Sequence, residues 1–418
     1  MAVLPVASRD MGLFGSRPPS REKFAQQVLD AVRATGKIAT ATYDADDFAI
    51  VFQRDAGDNE TGRIFLHNTF HETAELGRRE RADRIRQLVS VFMEAQSREL
   101  PWAQAKNKLR PVLRGVSYGA GMLQSATVDS QVRMLSRPAL PYLVELVVID
   151  EPTSMAYVTS ARLPEWGVSA DEVFHTARAN LAQGASGVTQ RPGSSERAMV
   201  RFIDSGDSYF TSMLLLDGFL AGLAPRVGGR PIAFVPDKNT LMVIAGDRPE
   251  TLPDLFGIIE QEFSESVRSI SPVAYTVNDT GRVIPYQAPP GHPELARAVH
   301  RAEVLLAAGE YGGQKEALEA AHERSGVDIF VGSVLLAERP DRSLFSVAVW
   351  PPDVDTLLPE ADYVAFPSED DQVTVPFEDV AREASLLPEP DYQPARYRLT
   401  AWPGPAVMDR LRAQAVSP

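Results

Sequence analysis

Asp204 and Asp207 flank Ser205 and Gly206 where the apolar run "RFI" gives way to the helix-like stretch "YFTSMLLLDGFL". Two carboxylates brought together by a glycine turn are a pattern for a hard cation, and an acidic loop at a strand end is an ordinary recognition surface. One such loop still supplies too few ligands for a metal. A phosphate would prefer bare N–H groups at a helix start. The simpler reading is structural. Asp207 or Ser208 caps a helix, its charge suits the helix dipole, and Tyr209, Met213, Leu216, Leu220 and Leu223 fall on one buried face. Asp204, Ser205, Gly206 and Asp207 are kept as a candidate ligand- or partner-binding loop, with Trp166 as an aromatic companion.

The close histidine pair is His67 and His71 in "HNTFHE". Spacing of i, i+4 suits zinc when both residues share a helix. The pattern instead places His67 at the end of a strand and His71 in the first turn of a helix. His67, His71, Asp204 and Asp207 are therefore weak metal candidates. The chain has no cysteine, which excludes disulfides, thiolate nucleophiles and cysteine-ligated metals. "GxSxG" is absent as a strand–turn–helix elbow, and there is no "GxxxxGK[ST]" loop and no "GxGxxG"; "YGAGMLQ" offers only one Gly-x-Gly. No cofactor is expected.

Charge is distributed unevenly. The net charge is −14, and residues 288–418 hold 22 acids against 11 bases, so the last third carries most of it. An acidic chain of this kind does not make nucleic acid its main partner, because phosphate neutralisation needs a basic face. Lys106, Lys108, Arg110 and Arg114 lie close together in "KNKLRPVLR", but without interleaved aromatics they read as a solvated edge strand. The acidic tract from Asp353 to Asp391 is interrupted by strand-like runs and reads as the surface of a folded module.

These residues sit on a mixed pattern of elements. Ser20 caps a helix over "REKFAQQVLDAVRATG", with Phe24, Val28, Leu29 and Val32 on one face. "KIATATY", "FAIVFQ" and "RIFLHN" read as strands, and Thr69 caps a long helix to about Ser97 carrying Ile85, Leu88, Val89, Phe92 and Met93. "YLVELVVID" is a strand apolar on both faces. Ser169 caps a helix over "ADEVFHTARANLAQG". "RPIAFVP" and "LMVIAGD" form a hairpin around "DKNT", and "VAYTV" and "RVIPY" form another around "NDTG". Beyond "QAPPGHP", two helices are expected, "ELARAVHRAEVLLAAG" and "QKEALEAAHERSG". Strands follow at "VDIFVGSVLLAE", "SLFSVAVW", "ADYVAFP", "DQVTVPF" and "ARYRLTAW", and "PAVMDRLRAQA" is a last helix. The class is α+β: mainly antiparallel sheets built from hairpins with packed helices, plus a smaller C-terminal α/β module. The expected organisation is a flexible tail (1–19), an α+β region (20–286, with a possible division near 119–138), a linker (287–293) and an acidic module (294–418).

"RIFLHNTFHETAEL", "IRQLVSVFMEA", "LRPVLRGVSY", "PYLVELVVIDEPTSMAYVTSARLPEWGVSADEVFHTARANL", "RFIDSGDSYFTSMLLLDGF" and "IAFVPDKNTLMVIAGD" follow one another in an order and spacing that resembles the YtpQ-like family of bacterial proteins of unknown function. The resemblance covers about residues 20–287 and leaves 119–138 and the C-terminal region outside it. It implies no activity.

No run of apolar residues reaches the roughly 18 needed for a membrane helix. "MAVLPVASRD" lacks a signal peptide's basic start, and "MGLFGS" at Met11 is an internal myristoylation-like pattern or an alternative start. The expectation is a cytoplasmic protein that binds another protein or a small ligand and has no recognisable catalytic machinery. The alternative is a metal-dependent hydrolase using the Asp204/Asp207 loop.

Overall fold

The computed structural model describes residues 19–45, 48–53, 62–73, 76–95, 100–118, 134–151, 154–189, 199–203, 209–266, 268–367 and 373–418. Its class is α+β, with several small, mainly antiparallel sheets and packed helices. The chain divides into two compact units: residues 1–100 with 151–156, and residues 101–150 with 157–418.

The first unit begins with α1 (Arg21–Ala34), whose N-cap Ser20 accepts the Lys23 N–H through its side chain. An antiparallel meander follows: β1 (Thr40–Asp44), β2 (Ala49–Gln53) and β3 (Gly62–Phe65), with Thr40 opposite Gln53. Phe24, Val28 and Val32 from α1 meet Ile50, Phe52 and Ile64 from the sheet, and burial of these side chains holds the unit together. The single helix expected from Thr69 to Ser97 is two helices, α2 (His67–Glu72) and α3 (Arg78–Ala95). Thr69 lies inside α2 as the acceptor of the Thr73 N–H, and the Arg81 guanidinium is buried across the break, donating to the carbonyls of Thr73 and Leu76.

In the second unit, β4 (Leu109–Gly115), β5 (Ser136–Leu140) and β6 (Leu143–Glu151) form a sheet with β6 central. Leu143 through Val148 are all buried, which explains why this strand reads as a continuous apolar run. Pro111 is tolerated because β4 is an edge strand. That edge is not bare: Ser212 Oγ accepts the Leu113 N–H at 3.2 Å. Short β7 (Ser154–Tyr157) follows, with its residues 154–156 belonging to the first unit. Helix α4 (Ala170–Thr189) starts after Ser169, whose hydroxyl accepts the Glu172 N–H.

A five-stranded antiparallel sheet fills the middle of the unit. It contains β8 (Met199–Ile203), β9 (Pro231–Asp237), β10 (Thr240–Ala245), β11 (Ser269–Val277) and β12 (Val283–Pro285), in the order β12-β11-β9-β10-β8. The β9–β10 hairpin closes on Asp237, whose Oδ1 accepts the N–H groups of Asn239 and Thr240. The helix expected after the "DSGD" loop is a series of short turns: a 3₁₀ turn over Phe210–Leu215 and α turns over Phe219–Gly222 and Ala224–Val227. Tyr209 (φ 52) and Gly218 (φ 77) take left-handed conformations that an α-helix cannot pass through. Thr211 through Leu216 are buried on every side, so a one-sided stripe is not what the packing demands. Asp204, Ser205, Gly206 and Asp207 lie outside the described residues.

Helix α5 (Leu252–Glu265) covers β9 and β11. Residues 287–293 then lead into α6 (Pro293–Ser325), one 33-residue helix where two had been expected. Gly309, Gly312 and Gly313 read as a stop, since each costs about 0.5–1 kcal/mol against alanine in a helix. Tertiary contacts outweigh that cost. Arg301 binds Glu260 of α5 in a two-pronged pair at 2.8 and 2.9 Å. Glu310 accepts the Ser117 N–H at 2.7 Å, and a Cβ on Gly313 would approach Ser117 Oγ to 2.7 Å, so a glycine there permits the close approach.

Two small sheets complete the unit. One is β13 (Phe330–Val331), β16 (Thr356–Pro359) and β19 (Arg396–Leu399); the other is β14 (Leu335–Glu338), β15 (Leu344–Val349), β17 (Tyr363–Phe366) and β18 (Val373–Pro376). The pairs β13–β16 and β15–β17 are parallel, and the others are antiparallel. Helices α7 (Phe377–Glu383) and α8 (Pro405–Ala413) pack beside them.

Arg396 joins the β13-β16-β19 sheet to α6. Its guanidinium is fully buried and has no carboxylate partner among the described residues; it donates to Gln314 Oε1 (2.6 Å) and to the carbonyls of Gly332 (2.8 Å), Leu357 (2.9 Å) and Tyr311 (3.3 Å). It also sits 5.3 Å from the Tyr311 ring centre. Arg396→Ala would leave these acceptors without their donor. We expect it to cost about 3–5 kcal/mol in urea unfolding, and Arg396→Lys to recover less than half, because an ammonium cannot reproduce the planar fork.

Candidate functional site

The turn between β5 and β6, strand β11, helix α6 and the loop from β16 to β17 surround a cavity of about 280 Å³. Its apolar side comes from Tyr142, Val273, Tyr275, Val304 and Ala307. Its polar side comes from His300, Glu303, Ser346, Glu360 and Asp362. Helical spacing explains the contribution of α6: His300, Glu303, Val304 and Ala307 are three or four residues apart and share a face. Tyr311 and Gln314 continue the same stripe into the Arg396 cluster. Tyr142 occupies the β5–β6 turn at φ 60, a strained conformation for a side chain of its size.

Asp362 is held from three sides. Ser346 donates to its Oδ2 through N–H (2.7 Å) and hydroxyl (3.0 Å), and the Asp362 N–H returns a bond to Ser346 Oγ at 2.8 Å. His300 Nε2 lies 3.3 Å from the same Oδ2. Burial works against the charge of Asp362, yet the bonds from His300 and Ser346 keep its carboxyl below the ordinary aspartate range. The same hydrogen bond raises His300 above the ordinary histidine range, against the opposing effect of burial. Because Ser346 gives its proton to Asp362, no serine is poised on the imidazole as a nucleophile.

Glu303 and Glu360 differ from Asp362. Neither carboxyl makes a hydrogen bond or ion pair among the described residues. Burial raises Glu303 above the usual glutamate range, with Asp362 adding to the shift and His300 opposing it. Glu360 stands exposed at the mouth, where partial desolvation and nearby Glu378 raise it too. Backbone contacts place it: the Glu360 N–H donates to Tyr311 Oη (3.2 Å), and that hydroxyl donates to the Ala395 carbonyl (2.7 Å). The cations nearby are engaged elsewhere. Arg301 is on Glu260, Arg339 stacks on Phe345 and donates to Tyr363 Oη, and Arg396 is on its carbonyls. Glu145 in β6 makes the contrast. It is fully buried but answered by Arg137 at 2.7 Å and Arg178 at 2.6 Å, a closed structural cluster.

The residues singled out in the sequence lie elsewhere. Asp204, Ser205, Gly206 and Asp207 fall outside the described residues. Trp166 is 9% exposed and packs on Trp102 with ring centres 5.5 Å apart, so it belongs to the core. His67 opens α2 rather than ending β3, which puts His67 and His71 on one six-residue helix at i, i+4. Among the described residues, no group of three His, Asp or Glu side chains could hold a metal ion. Also among them, no helix is long and apolar enough to cross a membrane.

No family model matches the chain, and neither the curated proteins nor the solved structures give a match.

The shifted groups give a signed pH dependence. A raised glutamate costs stability as pH rises from the ordinary glutamate range through its raised value, so Glu303→Gln removes that cost. We expect the variant to melt about 1–3 °C higher than wild type at about pH 8 and no higher at about pH 4. The raised His300 contributes stability below the ordinary histidine range and loses it as pH rises. His300→Gln should therefore destabilise more at about pH 6 than at about pH 9, by less than about 1 kcal/mol given the exposure of the pair. Urea titrations at these pH values check both signs.

Proposed function

We propose that this chain is a binding protein whose second unit receives a small molecule in the cavity between α6, β11 and the β16–β17 loop. The supporting observation is the combination of a preformed apolar wall with polar groups that converge on it and remain partly unpaired. Small-molecule sites have this composition: a mostly apolar concavity and a few placed polar groups that fix orientation. Perturbed acids in a cleft point the same way. In the His300–Asp362 pair the carboxylate accepts from Ser346, which orients the pair as a polar anchor for a bound molecule.

We also propose, from the order and spacing of the quoted segments, a kinship with YtpQ-like proteins. That kinship brings no activity with it, so the functional reading rests on the cavity.

Filling the cavity tests the proposal. Ala307 is small and faces the space, so Ala307→Trp should occupy much of it. In a ligand-observed NMR fragment screen, wild type should give hits whose signals Ala307→Trp abolishes while the fold persists by circular dichroism. Absence of hits, or hits undiminished in the variant, would contradict the reading.

A further inference from the structure

Three features of the cavity bear on what it holds, and each concerns charge or shape. First, the charges do not balance. Asp362 is answered by His300, whereas Glu303 and Glu360 have no partner among the described residues, and Arg301, Arg339 and Arg396 are engaged elsewhere. Formally the cavity is left negative. For half-buried Glu303 an unpaired carboxylate beside apolar side chains is costly unless something answers it, whereas exposed Glu360 is solvated. Second, the half-buried ring of Tyr142 lines the cavity close to Glu303, Glu360 and Asp362, with the fully buried Tyr275 behind the lining. Aromatic faces attract cations and repel anions. Burial raises both phenols, so they remain neutral across the physiological range. Third, the volume is at the small end for ligand sites.

A bare metal ion fits these features poorly, because it needs several oxygens converging on one point and no group of three His, Asp or Glu among the described residues could hold one. An anion would face two uncompensated carboxylates. We propose that the ligand is a small organic cation, an ammonium or guanidinium group on a compact apolar body, with its charge at Glu303 and Glu360 and its body against Tyr142 and Ala307. This rests on the cavity being a binding site and adds the chemical class of its occupant. Because Glu303 and Glu360 both titrate above the ordinary glutamate range, binding should weaken as pH falls. The other titratable groups around these acids are His300 on α6 with Arg339 near it, Asp362 in the β16–β17 loop, Glu378 on α7, Tyr397 on β19, and Tyr142, Tyr275 and Tyr311. Protonation of His300 over the same range would add to the loss for a cation.

A matched series of probes on the full chain tests the class by isothermal titration at about pH 8: phenethylammonium, 2-phenylethanol and phenylacetate share a body and differ in charge. The amine should bind at least about tenfold more tightly than the alcohol, and the acid most weakly. Glu303→Gln and Glu360→Gln should each weaken the amine by about tenfold and leave the alcohol unchanged. Thermal melts confirm that both variants fold. Alcohol binding equal to that of the amine, with both lost in Ala307→Trp, would keep the binding site and overturn the cation. Preferred binding of the acid, or amine binding indifferent to both substitutions, would overturn it as well. If no probe binds while wild type still yields fragment hits lost in Ala307→Trp, the cation fails and the site stands; if neither is seen, both fail.

Discussion

A guanidinium buried without a carboxylate among the described residues organises the junction of α6 with the β13-β16-β19 sheet. Arg396 spends its donors on one side-chain amide and three backbone carbonyls, and these acceptors belong to α6, the residue after β13, and β16. Burial lowers its pKa to about 10, still far above neutrality, so the side chain stays charged. Such a group is tolerable only when nearly every N–H finds an oxygen. That demand fixes the distance between the helix and the β13-β16-β19 sheet more tightly than apolar packing would, since apolar contacts tolerate sliding and a five-donor fork does not. Gln314 serves the same junction twice, accepting from Arg396 and donating to the Pro394 carbonyl at 2.7 Å.

The cavity is one step removed from this junction. Tyr311 gives its carbonyl to Arg396 and its hydroxyl to the Ala395 carbonyl, while that hydroxyl also accepts the Glu360 N–H. Its ring meets Tyr142 with centres 6.1 Å apart. One tyrosine therefore ties the buried cation to two residues around the cavity. Helix α6 carries the rest on a single stripe, with acids and histidine towards its N-terminal half and the Arg396 partners beyond. A rigid element that carries cavity-lining side chains along one part of a face and anchoring residues along the next is a common solution to the positioning problem. The unpaired glutamates are what such a scaffold can sustain: a locally unfavourable charge arrangement held by structure around it.

Much of the fold was legible in the sequence because local signals and tertiary outcome agreed. Ser20 and Ser169 cap the helices they precede, the β9–β10 hairpin closes on Asp237, and the apolar run from Leu143 to Val148 is a central strand. The failures share a cause: tertiary contact overrode local propensity. Glycines 309, 312 and 313 promised a helix end, but Arg301, Glu310 and Tyr311 hold α6 straight through them. The apolar stretch after Tyr209 promised one helix, yet burial on all sides and a left-handed Gly218 break it into turns. The same misreading hid the cavity. Dividing α6 at its glycines separates His300, Glu303 and Ala307 from Tyr311 and Gln314, although their 3.6-residue period runs unbroken. Asp362 and Glu360 were concealed in an acidic tract that looked like solvated surface, because nothing in their immediate sequence marks Tyr311 or Ser346 as their partners. Tyr142 carried no signal beyond its place in a tight turn.

The carboxyl groups themselves offer the most direct measurement. With side-chain ¹³C-labelled glutamate, an NMR pH titration reads Glu303 and Glu360 individually once each is assigned by its glutamine variant. Both should titrate above the ordinary glutamate range in the free protein, and saturating phenethylammonium should pull both downward, since a bound cation favours the ionised form. Resonances that titrate in the ordinary range, or that do not move when the amine is added, would contradict a cavity that holds its acids unpaired for a cation.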